Sequence, residues 1–220
     1  MTWLAWRQQR PVALALLAVL GCYATLAVWE RSTYPQMHGV TAGLSQYLSL
    51  FLGLFVGAPA VAREFELGTH RLVWTQTITR RHWYLTRLAC ATLISLVSVA
   101  MVTALVTWAT QHPALWTAPD VDPLSPVYFD SHDLVPFTLA LALVALGFAT
   151  GVLFQRTVVS MGTVLVLWIA ITSGGPALRT ELQEADVLTG YWPWQFTYGG
   201  VLLLLAAILT FMGLRRLTRR

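Results

Sequence analysis

The chain is 220 residues long, 56% hydrophobic and 11% charged, where soluble domains carry roughly 25% charged residues. Too little polar surface is available for a water-soluble fold, and several apolar runs reach the roughly 20 residues needed to cross a bilayer core. All 14 basic residues are arginine and the net charge is +4, but the arginines flank apolar runs, a pattern of membrane topology and not of nucleic-acid binding.

In chain order, MTWLAWRQQR sets Trp3 and Trp6 beside Arg7 and Arg10, a mixture that favours the interface and predicts a short helix on the membrane surface. Span one is expected at about 11–29, ended by Glu30 and Arg31. Span two follows at about 40–62, and a charged segment occupies 63–83. Span three is expected at about 88–109, a loop rich in Pro and Asp at 111–133, and span four at about 134–154. Gln155–Thr157 is a tight turn before span five at about 158–172, which Ser173-Gly174-Gly175-Pro176 is expected to break. An acidic stretch leads to span six, about 197–214, and Arg215, Arg216, Arg219 and Arg220 follow. The expected architecture is all-α: six transmembrane helices forming one transmembrane domain over 1–220. Cys22 and Cys90 lie inside apolar runs and read as small packing residues. Nothing resembles a cleavable signal peptide.

Counting arginines orients the chain. With the segments before span one and after span six in the cytoplasm, twelve arginines lie inside and only Arg31 and Arg179 outside, as the positive-inside rule requires. No charged residue or histidine falls in the middle of a predicted span. Proton- and ion-coupled carriers usually need such groups, so energy for uphill transport would have to enter from outside the bilayer.

The spans carry small and hydroxylated residues instead. Ser49, Gly53 and Gly57 recur every fourth residue in span two, and Gly147 and Gly151 form a Gly-x-x-x-Gly pair in span four, with Ala140 on the same face. Such stripes let helix backbones approach closely, within a bundle or across a dimer. Thr92, Ser95, Thr103, Thr107 and Thr110 share one side of span three. They are candidates for lining a translocation path, or for hydroxyls bonded back to their own helix.

The segment Val61-Ala62-Arg63-Glu64-Phe65-Glu66-Leu67-Gly68-Thr69-His70-Arg71-Leu72-Val73-Trp74-Thr75-Gln76-Thr77-Ile78-Thr79-Arg80-Arg81-His82-Trp83 is far longer than a connection needs to be. It places acids at a helix end, a Gly-Thr break, and then an amphipathic piece, which suggests a docking element. Its acids four and two positions before Gly-Thr, followed by a Thr-Arg turn into span three, resemble the membrane subunits of type-2 ABC exporters. Actinobacterial permeases of that class are especially similar: their Arg-Glu-x-Glu-x-Gly-Thr-x-Arg-Leu-x-Trp-Thr-Gln pattern matches Arg63 through Gln76, and their Trp-Arg-Gln element matches Trp6-Arg7-Gln8.

The resemblance implies a coupling helix between spans two and three that rests on an ATP-hydrolysing subunit, with contact on Gly68 through Arg81 (Thr69, Arg71, Thr75, Gln76, Arg80 and Arg81 among them) and Glu64 and Glu66 just above. It also implies two facing copies with the path between them, in a bacterial cell membrane, and ATP and Mg on the separate ATPase chain. This chain has no lysine for a Walker-type phosphate loop, so no cofactor and no catalytic role are expected on it. Membrane lipid is its other expected partner.

Three other readings compete. Gly43-Leu44-Ser45 hints at an intramembrane nucleophile, but no histidine in a later span could serve as its base. His112, Asp120, Asp122, Asp130, His132 and Asp133 in the outer loop could hold a metal, yet their spacings match no defined site. A partner-free scaffold, assembly factor or immunity protein shares the topology and is weakened only by residues 63–83.

Overall fold

The computed structural model describes residues 2–33, 40–69, 79–110, 124–184 and 190–219. Within them the secondary structure is helical: α1 (Thr2–Thr33), α2 (Val40–Phe51), a π-helical turn (Leu52–Gly57), α3 (Ala58–Glu66), α4 (Arg80–Thr110), α5 (Pro126–Ser131), α6 (Val135–Phe154), α7 (Thr157–Glu184) and α8 (Tyr191–Arg219). Six of the helical stretches are long and apolar enough to cross a membrane, with α2, the π turn and α3 forming one of them. The chain is a multi-pass, all-α membrane protein.

Span four, α6, is apolar all round and buried along nearly its whole length, the behaviour of a helix with no polar face to present. It packs against α8, α3, the π turn, α4, α7 and α2. Spans one, five and six, by contrast, leave most of their side chains outward. One helix is therefore the axis of the bundle, and lipid-compatible residues such as Val158, Val166 and Leu204 form the exterior.

Three boundaries differ from expectation. No break separates the N-terminal residues from span one, because α1 runs unbroken through Pro11. Span five does not end at Ser173–Pro176: α7 continues through Pro176 to Glu184. A proline removes a single helix hydrogen bond, here the one to the Thr172 carbonyl, and the helix continues on the bonds either side of it. In the turn before it, the Thr172 and Ser173 hydroxyls bond back to the carbonyls of Trp168 and Ile169 at 2.8 and 2.6 Å. The predicted outer loop contains a helix, α5, started by Pro126 in its first turn.

The π turn has a local cause. Pro59 lacks an N–H, and in a regular helix its ring would strike the carbonyl of Phe55. The turn just before it is widened, with the Ala58 N–H reaching back five residues to the Gly53 carbonyl, which relieves that clash.

Helix ends are satisfied by side chains from other elements. The N–H groups of Val40 and Thr41 donate to the Glu30 carboxylate at 3.3 and 3.0 Å. Arg31 donates to the Trp108 carbonyl near the end of α4 and lies 4.4 Å from the centre of the Trp108 ring. Acid at a helix start and base at a helix end both complement the helix dipole.

Candidate docking site between the second and third spans

The expected docking segment begins where α3 ends. Leu67 donates its N–H to the Arg63 carbonyl and Gly68 to the Phe65 carbonyl, and Gly68 has φ +70. That left-handed backbone is open to glycine and resisted by residues with a Cβ. The chain returns at Thr79, whose hydroxyl accepts the His82 N–H at 3.3 Å, an N-cap that starts α4. Arg80 and Arg81 thus sit in the first turn of a helix longer than the predicted span. Arg71, Thr75 and Gln76 lie outside the described residues.

Both acids above the segment are engaged within the chain. Glu64 makes an ion pair with Arg87 of α4. Arg87 also donates to the Ala60 carbonyl at 3.2 Å and stands 5.5 Å from the centre of the Trp83 ring, while Trp83 meets Phe65 edge-on. Glu66 reaches the start of α7, accepting the Thr157 hydroxyl at 2.7 Å and its N–H at 3.3 Å. The Thr69 hydroxyl contacts the Glu64 carbonyl at 3.4 Å. Sequence reasoning singled out these acids but missed Arg87 and Thr157 as their partners, since nothing local to either residue marks the contact.

The turn joining spans four and five lies beside this anchor. Gln155 adopts φ +57 and closes α6 by donating to Gly151. The segment between spans two and three is therefore fastened to span three through Arg87 and to span five through Thr157.

The small-residue stripes meet each other inside one chain. A Cβ on Gly57 would come 3.0 Å from the Val144 backbone, one on Gly53 would come 2.9 Å from Leu143, and one on Gly151 would come 3.1 Å from the Ala62 nitrogen. Ser49 donates to the Pro136 carbonyl at 3.4 Å, and Ala140 is fully buried in the same core. Spans two and four are in backbone contact along this line.

The hydroxyls of span three do not share one environment. Ser95 is fully buried, while Thr92, Thr103 and Thr107 are half-buried. Thr107 bonds back to the Thr103 carbonyl at 2.8 Å. Thr92 lines a lateral crevice of about 410 Å³ between α4, α6 and α8, together with Thr210, Leu88, Ala145 and Phe211.

In the segment between spans three and four, Asp130, His132 and Asp133 turn to different partners. Asp130 faces Arg179, His132 stacks on Tyr128 with ring centres 4.0 Å apart, and Asp133 accepts the Tyr191 hydroxyl at 2.6 Å. Among the described residues no group of three or more potential ligands converges. His112, Asp120 and Asp122 lie outside them. Burial pushes the Asp130 carboxyl up to about 6, with Arg179 pulling the other way. Burial lowers His132, opposed by the Tyr128 carbonyl and Asp133.

Residues 18–179, from within span one to the buried arginine of span five, match the family described as ABC-2 membrane transporter related. No curated protein matches the chain, and no solved structure does. Six apolar spans and a family match over well over half of the chain lead to one conclusion: this protein belongs to the ABC-2 membrane transporter related family and is a transmembrane subunit of an ABC-type transporter.

Proposed function

We propose that the chain is the permease of an exporter in a bacterial cell membrane, working as a dimer and driven by a separate ATPase that docks on residues 63–83. The carrying observation is the double fastening of that segment, Glu64 to Arg87 and Glu66 to Thr157. A force applied between Gly68 and Arg81 is delivered to spans two, three and five together, as a coupling element requires. The charges proposed to face the ATPase are Arg71, Arg80 and Arg81, with Thr69, Thr75 and Gln76 as polar neighbours and Glu64 and Glu66 just above them. The arginine split supports placing this segment, and the regions before span one and after span six, in the cytoplasm. Thr92, Thr103 and Thr107 are proposed to face the path, a reading supported by the crevice beside Thr92, whereas Ser95 is fully buried within the single chain.

Substitutions in the segment should separate coupling from folding. Arg71→Glu and Arg80→Glu reverse interface charges, which costs about 2–5 kcal/mol where a docking contact is buried, and Gly68→Val opposes the φ +70 backbone. All three should reach the membrane at near-parental levels. Each should then lose co-purification with the ATPase, or keep it and lose substrate-stimulated hydrolysis, while Asp122→Asn does neither. The purified chain alone should neither hydrolyse ATP nor bind it saturably. Parental assembly and transport in all three variants would mean that residues 63–83 are not the coupling element, and the exporter reading would lose its main support.

A further inference from the structure

At the end of the bundle opposite the docking segment, α5 is only six residues long, yet Phe129, Asp130, Ser131 and the following His132 are all buried. It is held from several sides. Besides packing on α2 and α6, it meets α7 through Arg179, whose guanidinium lies 4.0 Å from the centre of the Phe129 ring. From α8, Gln195 donates to the Phe129 carbonyl at 3.2 Å while its own carbonyl accepts the Leu134 and Val135 N–H groups at the start of α6. Phe129 also meets Tyr191 and Tyr198 of α8 edge-on.

One contact in this assembly works against the rest. Asp130 Oδ1 is 3.7 Å from Arg179 Nη2, too far for a hydrogen bond. That same Oδ1, and Arg179 Nη1, are buried without any hydrogen-bond partner. An ion pair this poorly satisfied recovers little of the cost of leaving water. The docked position is thus favoured by the apolar and amide contacts and by the Arg179 guanidinium over Phe129, and opposed by the poorly satisfied Asp130–Arg179 pair. The chain beyond α5 supplies a pivot: His132 is extended and Asp133 adopts φ +57, a conformation that aspartate tolerates better than most residues.

We propose that α5 is a latch across the outer ends of spans two, five and six, which opens by swinging away from α7 and α8 about His132–Asp133. The imbalance at Asp130–Arg179 lowers the free energy needed to open it. The latch is a property of this chain alone and does not depend on which protein docks at the other end.

The test places a thiol on the latch by Ser131→Cys, since Ser131 is buried in the docked state, in full-length protein lacking Cys22 and Cys90 and held in phospholipid nanodiscs. Labelling by a water-soluble maleimide reports opening. Arg179→Met leaves Asp130 buried without a counter-charge and should speed labelling about tenfold or more. The double variant Asp130→Asn with Arg179→Met removes both charges and should label more slowly than the parent. A thiol placed by Ser160→Cys, at a fully buried site on α7, reports general loosening and should stay slow in both. An unchanged rate with Arg179→Met, or equal acceleration at position 160, overturns the proposal. If Arg179→Met does not fold, the double variant decides alone: slower labelling supports the latch, and equal or faster labelling overturns it.

Discussion

Gly147 of α6 stands directly against Ala58 of α3: a Cβ at Gly147 would lie 2.5 Å from the Ala58 nitrogen and 2.7 Å from the Gly57 carbonyl carbon. Spans two and four are therefore pressed together backbone to backbone beside the π turn, with no side chain between them. This contact seats the helix that ends in Glu64 and Glu66, so the position of the docking segment depends on two glycines in the middle of the bundle.

Gly147→Ala should consequently destabilise the protein by about 1–3 kcal/mol, the range for overpacking a filled core. Gly162→Ala is the matched control, since a Cβ there meets nothing within 4 Å, and it should be neutral or up to about 1 kcal/mol more stable than the parent through helix propensity. Thermal unfolding of the purified protein in one detergent compares them, and equal effects would refute the close packing.

The Glu64–Arg87 pair should show energetic coupling. In a double-mutant cycle with Glu64→Gln and Arg87→Met, the interaction term should be about 0.5–3 kcal/mol, as for residues in direct contact. A term indistinguishable from zero would reduce the pair to a screened surface contact and weaken the anchoring role given to it.

Asp130 should give a pH signature of definite sign. Its carboxyl in the folded protein is held at about 6, above the ordinary value of 3.8, so the folded state binds that proton more tightly than the unfolded chain. Relative to Asp130→Asn, the parent should therefore gain stability as the pH falls through about 6, and lose it as the pH rises through the same range. His132 works in the opposite sense but is common to both proteins and cancels in the difference. Melting temperatures of the two proteins near neutral pH and near pH 5 check this, and a constant difference would contradict it.

Orientation is open to a direct measurement. With Cys22 and Cys90 removed, Ser125→Cys should react with an impermeant thiol reagent on intact cells, and Thr77→Cys should not until the membrane is permeabilised. Reaction at position 77 on intact cells would reverse the topology and move the docking segment outside.

The sequence by itself determined the membrane as solvent, the number of spans and the residues able to pack closely, because these depend on composition and helical period, which are local. The Gly-x-x-x-Gly pair of span four and the Ser49-Gly53-Gly57 line of span two were legible as stripes on their own helices. That the two stripes face each other within one chain was decided by the tertiary fold, since a stripe does not name its partner. Pro176 looked like a helix stop because local propensity disfavours it, but α7 continues through it to Glu184, since a proline removes one helix hydrogen bond and leaves the others in place. Glu64 and Glu66 stood out as charges at a helix end. Their partners, Arg87 and Thr157, lie 23 and 91 positions away in the chain, and Asp130 meets Arg179 across a similar gap. No spacing rule reaches that far: an ion pair or a hydrogen bond acts over a few ångströms, and only the packing of the spans brings such groups within range.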